Sequence, residues 1–395
     1  MKKLMILGAS YSQIPLYKAS KDLGVKTVAA STKGDWPGFS LADECAYADI
    51  SKPSEVLKAA REFGVNGIAT CCVDAGVRSL GYACETLGLP GLSKSAGEKS
   101  SDKYKMKEAF QEGGVRCARH ILIRSRRELE EALEKLPFPV IVKAVDLMGS
   151  RGIFRCDTKE EALLHYEDTM AATRKDYCLV EEFIQGKLMG CEAMMYQGEL
   201  LYCLPNNTLA FESTVPTPVG HSVPYEKQET LGDEVKRQVM LAIKAVGLDD
   251  CPVNCDLIEK DGKIYVIEIT GRAGATCLPE IVGLMYDINY YEAIARLALG
   301  MPVAHMFEEK GKWGAVLAKT LSSQKSGRVK EIRNENLPSP DLIDLSFNIR
   351  PGEEVRRYQN GRDRIGQVIL AGDTLLGCKK RLEEVLSKIS IEFNL

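Results

Sequence analysis

Cys255-Asp256-Leu257-Ile258-Glu259-Lys260-Asp261-Gly262-Lys263-Ile264-Tyr265-Val266-Ile267-Glu268-Ile269-Thr270-Gly271-Arg272 is the stretch on which the fold turns. Two apolar runs flank Lys260-Asp261-Gly262, a hairpin signal. A two-residue loop of Asp261-Gly262 would set Asp256 opposite Ile267 and split Asp256 and Glu268 between the two faces. A three-residue loop with Gly262 left-handed instead pairs Glu259 with Lys263. Asp256 then lies opposite Val266 and Asn254 opposite Glu268, which makes the acids diagonal neighbours on one face. The three-residue loop is the arrangement expected here. Carboxylates converging in an apolar sheet repel unless a cation joins them, and oxygen ligands of this kind suit magnesium. Glu268, Thr270 and Arg272 alternate along that face. The plain alternative is an unrelated surface carboxylate beside a salt-bridged one.

Working back along the chain, Val140-Ile141-Val142-Lys143-Ala144 places a lysine inside a buried-looking strand, followed by the loop Asp146-Leu147-Met148-Gly149-Ser150-Arg151-Gly152. An ammonium among valines is costly unless an anion meets it. Gly149 and Gly152 let backbone amides approach phosphates, and Ser150 and Arg151 add donors. A lysine reaching out from an edge strand beside an ordinary hairpin loop is the competing reading. Val180-Glu181-Glu182-Phe183-Ile184 ends a strand in acids, an edge that can offer a carboxylate and backbone groups to an adenine amine; a solvated acidic strand end is the commoner explanation for any single case.

The first ninety residues alternate apolar strands (LMILGA, TVAAS, GIAT) with helical patterns near 15–23, 54–63 and 76–87, which implies βαβ units and a parallel sheet. Gly8-Ala9-Ser10 follows the first strand but lacks the remaining glycines of a dinucleotide fingerprint. Residues 91–102 read as a connection. A small α+β unit follows, with Ser125 and Glu128 as a capping box, the strand at 139–144 and a helix over 159–170. Residues 186–275 look extended apart from a helix near 231–246, and the last ninety hold short strands and a helix near 373–387. The 395 residues carry 52 Lys plus Arg against 55 Asp plus Glu, a net −3, which argues against a nucleic-acid binder. Hydrophobic residues make up 45% and charged residues 27%, a globular mix. No window approaches the roughly 18 apolar residues that span a bilayer, and the leader-like start breaks at Gly8 and Ser10. Thirteen scattered cysteines predict reduced thiols and a cytoplasmic setting, with Cys251 and Cys255 buried rather than zinc-bound.

Together, and in this order, Lys103 in SSDKYKMK, Lys143 in PVIVKAVDLMGSRG, Glu181 to Ile184 in VEEFI, and Asp256, Glu268 and Arg272 resemble the ATP-grasp superfamily of carboxylate-activating ligases. The match covers nearly the whole chain. It implies an α/β and α+β multidomain protein: a parallel α/β domain over 1–95, a two-lobed ATP-grasp domain over 96–303 with a small lobe at about 115–184, and a C-terminal lobe over 304–395. It also implies that Lys103 and Lys143 bind ATP phosphates under the loop Gly149 to Gly152. Glu181 and the backbone of Glu182, Phe183 and Ile184 would hold adenine. Asp256, Glu268 and Thr270 would hold magnesium or manganese, Arg272 would steady an acyl phosphate, and Gly274 would lie near the carboxylate substrate. On this resemblance His221, in Pro218-Val219-Gly220-His221-Ser222, would contact the γ-phosphate or the amine; the alternative is a structural histidine. Three departures stand out: Thr270 replaces the usual asparagine, the glycine loop is thin, and Lys187-Leu188 replace the ribose-binding glutamate, for which Glu192 is the nearest candidate. The activity expected is an ATP-dependent carboxylate–amine ligase acting on a small-molecule carboxylate and amine, without nucleic acid or membrane, with a homodimer left open. The alternatives are a carboxylase activating bicarbonate and an inactive nucleotide-binding regulator.

Overall fold

The computed structural model describes residues 1–147, 151–211 and 216–394. Four short strands, in the spatial order Glu44–Tyr47, Lys26–Ser31, Lys3–Leu7, Gly67–Ala69, pair in parallel. Parallel neighbours need crossovers, which the helices Ile14–Asp22 and Pro53–Phe63 supply. The central strand is buried on both faces, so Leu4-Met5-Ile6-Leu7 reads as an unbroken apolar run. The strand Glu44–Tyr47 and the short helix Pro37–Leu41 have no counterpart in the sequence reading. Residues 91–102, expected as a connection, contain the helix Lys94–Ser101, which starts where Ser93 Oγ accepts from the Ala96 amide at 3.1 Å.

A second sheet, antiparallel, has the order His120–Ile123, Cys178–Glu182, Val140–Lys143, Ile153–Cys156, and the helices Arg126–Leu133 and Lys159–Ala172 cover its apolar face. The largest sheet has eight antiparallel strands: Lys263–Thr270, Cys251–Lys260, Lys187–Tyr196, Glu199–Phe211, Thr217–Val223, Ala315–Ser322, Arg364–Gly372 and Leu342–Phe347, in that order. It runs on from the acidic hairpin into the last ninety residues because His221 pairs with Ala318 and Gly220 with Lys319.

One apolar cluster runs from the parallel sheet to the hairpin: Met5 and Leu7 belong to it together with Met106, Phe110, Cys255, Val266 and Ile269. Burial of this shared face is what ties the N-terminal strands to the rest of the chain. No helix among the described residues is long and apolar enough to cross a membrane. All thirteen cysteines are free thiols, Cys251 and Cys255 among them.

Candidate functional site

The hairpin turn is two residues long, not three: Lys260 pairs with Lys263, and both Asp261 (φ 50°) and Gly262 (φ 71°) are left-handed. An Asp-Gly pair in this conformation matches the right-handed twist of the flanking strands, which is why it prevails over the longer loop. That register alone would send Asp256 to Ile267 and separate the acids. The ladder instead shifts between Leu257 and Asp256, with Ile267 as the extra residue of a bulge, so Asp256 pairs directly with Glu268 and Asn254 with Thr270. The carboxylates therefore share a face, opposed rather than diagonal.

The row continues through Gly190, opposite Asp256, to Asn206. A Cβ on Gly190 would come within 2.9 Å of Asn206 Oδ1. Burial, then the charge of Glu268, pushes the Asp256 carboxyl up to about 7. Thr270 Oγ1 is buried without a hydrogen-bond partner among the described residues. Two carboxylates, and no larger cluster of acids, histidines or cysteines among the described residues, converge there. This set of repelling and unsatisfied oxygens fits a hard divalent cation.

The helix Lys103–Glu112 begins at Asp102, whose Oδ1 accepts from the Tyr104 amide at 3.0 Å. Its first turn aims Lys103 into the site, where Nζ lies 3.2 Å from Glu268 Oε1 and donates to Leu147 O at 2.8 Å. Burial opposes the Lys103 charge, but Glu268, with Asp74 and Glu181, more than compensates and holds its pKa above the usual lysine range. Lys143 Nζ sits 2.8 Å from Glu181 Oε1, and Lys107, one helical turn beyond Lys103, reaches the same oxygen at 3.8 Å. Burial pulls Lys143 down to about 8 against the attraction of Glu181, and Lys107 adds to the depression. Burial would raise Glu181, yet Lys107 and Lys143 keep it below the usual carboxylate range.

Beyond Glu181 the edge is narrower than the sequence implies. The amides of Glu182 and Phe183 already donate to Arg119 O and Pro139 O, each at 3.0 Å, and the Glu182 carboxylate turns to Arg119 Nε at 2.9 Å. These two amides are committed within the protein. Gly149 and Ser150 lie outside the described residues. Arg151 is exposed, and Gly152 (φ 63°) accepts from the Ala144 amide at 2.8 Å.

Arg272 Nε donates to Asp74 Oδ1 at 2.6 Å, and its Nη1 donates to Asn254 Oδ1 at 3.1 Å and Ala273 O at 3.0 Å. Asp74 comes from the loop after the strand Gly67–Ala69, which the parallel bridge of Cys71 with Ala273 and the Cys72 amide on Ala273 O bring alongside. The next amide, Gly274, donates to Glu192 Oε2 at 3.1 Å, while Asn254 Nδ2 donates to Glu192 Oε1 at 2.8 Å. A Cβ at 274 would meet Leu278 Cδ1 at 2.5 Å and Glu192 Oε1 at 2.6 Å, so any side chain there must displace them. Thr276 (φ 57°) and Cys277 (φ 66°) then hold left-handed conformations that L side chains resist, strain characteristic of ligand-gripping loops.

Two expectations change. Glu192 braces the Gly274 loop from a fully buried position, its carboxyl raised to about 8 by burial, and does not stand at the edge as a ribose ligand would. His221 is buried, with Nδ1 3.0 Å from Asn206 Oδ1, and burial drops it to about 4. A neutral ring in that setting matches its structural alternative and brings no charge to a phosphate. Sequence reasoning missed Asp74, Asn254 and Lys107. Asn254 was within reach, two residues before Asp256 and so on its face; Lys107 lies four after Lys103. Asp74 lies 198 residues from Arg272 and carries no local signal.

A family model described as ATP-grasp domain matches residues 100–276, and one described as L-amino acid ligase C-terminal domain 2 matches residues 319–394. The solved structure of phosphoribosylglycinamide synthetase from Anaerococcus prevotii is 41% identical, covers 100% of both chains and superposes with a TM-score of 0.85. L-amino acid ligase from Bacillus licheniformis, at 21% identity, shares the fold with a TM-score of 0.84 over 100% of this chain and 99% of that one. Alanine–anticapsin ligase of Bacillus subtilis (strain 168) is 27% identical over an alignment of 273 residues that covers 60% of this chain. The chain spans little more than half the length of that curated relative, 56%.

Proposed function

This chain belongs to the ATP-grasp superfamily, and from that premise we propose that it is an ATP-dependent carboxylate–amine ligase, forming an amide or peptide bond through an acyl phosphate and releasing ADP and phosphate. The observation that carries the reading is one polar face bearing the opposed Asp256 and Glu268 with Arg272 beside them, gripped by Asn254 and Asp74.

A carboxylate is a poor electrophile because its leaving group would be oxide. Its oxygen attacks the γ-phosphorus of ATP and the bond to ADP breaks. The amine nitrogen then attacks the acyl carbon, phosphate leaves, and the nitrogen sheds a proton. Lys103 and Lys143 neutralise charge on the transferring group. Asp256, Glu268 and Thr270 would hold magnesium or manganese, which supplies further positive charge to the phosphate oxygens. Arg272 offers paired donors to the acyl phosphate, and the Gly274 loop seats the carboxylate. Glu181, with the edge ending at Ile184, takes adenine. No side-chain nucleophile is needed. The division into 1–95, 96–303 and 304–395 belongs to the same proposal, as do small-molecule partners and a cytoplasmic setting, for which the free thiols and near-balanced charge speak.

The match of residues 319–394 to an amino-acid-ligase region favours amino acids as substrates over bicarbonate. The paired acids and buried lysines favour turnover over an inert regulator. A phosphate-release screen over pairs of amino acids, with single-substrate controls and a bicarbonate arm, tests this. ADP, phosphate and amide should appear in equal amounts only when carboxylate and amine are both present. Turnover confined to the bicarbonate arm, or ATP bound without consumption, would overturn it.

A further inference from the structure

Lys107 has no task in the chemistry above. It is fully buried, and its Nζ makes no hydrogen bond among the described residues. Its neighbours are Glu181 Oε1 at 3.8 Å and the Phe110 ring, 5.9 Å from the centroid. A buried ammonium is retained at a cost unless an anion faces it, and Glu181 is that anion. Yet Glu181 already has a cation, Lys143, at 2.8 Å. One carboxylate with two ammonium groups is an excess if both pairs persist. It is a balance if Lys143 leaves for the phosphates when nucleotide binds, because Lys107, at 3.8 Å, then remains beside a sealed carboxylate as its counter-charge.

We infer that Lys107 is a positioning residue for base selection: it keeps Glu181 ionised and aimed at the exocyclic amine of adenine while Lys143 is engaged with phosphate. This rests on the proposed roles of Glu181 and Lys143. A carboxylate can only accept hydrogen bonds, so it welcomes the amino group at position 6 of adenine and repels the carbonyl oxygen that hypoxanthine carries there. A protonated Glu181, or one still held by Lys143, would lose that distinction.

The readout is the ratio of ADP to IDP affinity, measured by calorimetry on the full chain. Lys107→Met should cut the preference for ADP by about tenfold or more, the worth of one charge-assisted hydrogen bond. Lys107→Arg keeps the charge and should stay within about threefold of the parent. In a Glu181→Gln background, Lys107→Met should change the ratio no further, because the residue acts through that carboxylate. A preference in Lys107→Met equal to the parent's, or an equal loss in both backgrounds, would overturn the inference. If Lys107→Met does not fold, Glu181→Gln with Lys107 intact decides alone: an undiminished preference for ADP there is also fatal. A parent that binds neither nucleotide would sink the proposed function and this inference together, whereas one that binds ADP selectively but makes no amide would sink only the ligase reading.

Discussion

Asp74 and Arg272 come from opposite halves of the chain, and their contact can be measured by removing each end in turn. Asp74→Ala takes away the oxygen that Arg272 Nε approaches at 2.6 Å and leaves the guanidinium with Asn254 and Ala273 O. The arginine side chain is 9% exposed and the aspartate 29%, so the pair is largely out of water without being sealed. Hydrogen bonds to charged groups are worth about 1.5–3 kcal/mol net, and breaking a sealed pair costs about 3–5 kcal/mol. The partial exposure of Asp74 puts this pair near the lower range, at about 2 kcal/mol. A double-mutant cycle of Asp74→Ala and Arg272→Ala, read from urea unfolding, should give a coupling of about 1.5–2 kcal/mol. In turnover, Asp74→Ala should lower kcat/KM by about tenfold to thirtyfold, because the guanidinium loses its preset orientation and each 1.4 kcal/mol is about tenfold. ADP affinity should not move. A coupling below about 0.5 kcal/mol would refute the energetic argument. Faster turnover would show that Asp74 competes with the acyl phosphate for Arg272 instead of presenting it.

Gly274→Ala should raise KM for the carboxylate by about tenfold and leave ADP binding alone, since the new Cβ overlaps Glu192 Oε1 at 2.6 Å and overpacking typically costs about 1–3 kcal/mol; unchanged KM would show that the loop does not seat that substrate. Lys143, with a pKa of about 8, is charged below that pH and neutral above it, so ADP affinity should hold to pH 8 and then fall by up to about tenfold per unit. Lys143→Arg should flatten that limb, and calorimetry showing no decline in the parent by about pH 9.5 would disprove the phosphate role. Gly262→Val puts a branched side chain at φ 71°, and should cost about 1–2 kcal/mol of stability. Magnesium-dependent turnover per folded molecule should survive, because the bulge rather than the turn opposes the acids; its loss would mean the register is set at the turn.

The elements were legible where one face is apolar over several residues: LMILGA, TVAAS and PVIVKA each became strands, and the helix expected near 231–246 became Gln228–Val246. Residues 94–101 were not legible as a helix because Lys94-Ser95-Ala96-Gly97-Glu98 bury only small side chains and present no apolar stripe. At the site, the types and order of residues carried the reading, whereas their placement did not. Asp256 and Glu268 share a face through an extra residue, Ile267, in mid-strand with no glycine or proline to announce it. Glu192, the nearest candidate for a ribose carboxylate, is buried, because pairing to Asn254 and Leu204 puts it in the middle of the eight-stranded sheet. Asp74 could be found only by knowing that the parallel sheet docks its strand ends against Ala273.

That docking has a consequence in time. Asp74 emerges from the ribosome 198 residues ahead of Arg272, which at about 5–20 residues per second is a delay of roughly 10–40 s. Throughout that interval Leu4 and Ile6 lack Tyr290 and Ile294, which share their apolar cluster in the finished fold. That face of the N-terminal sheet must therefore wait, half-dressed, for the helix Tyr290–Ala298 to arrive. A chain halted before residue 290 would carry that part-covered face permanently, a sticky surface of the kind that chaperones hold and that otherwise aggregates.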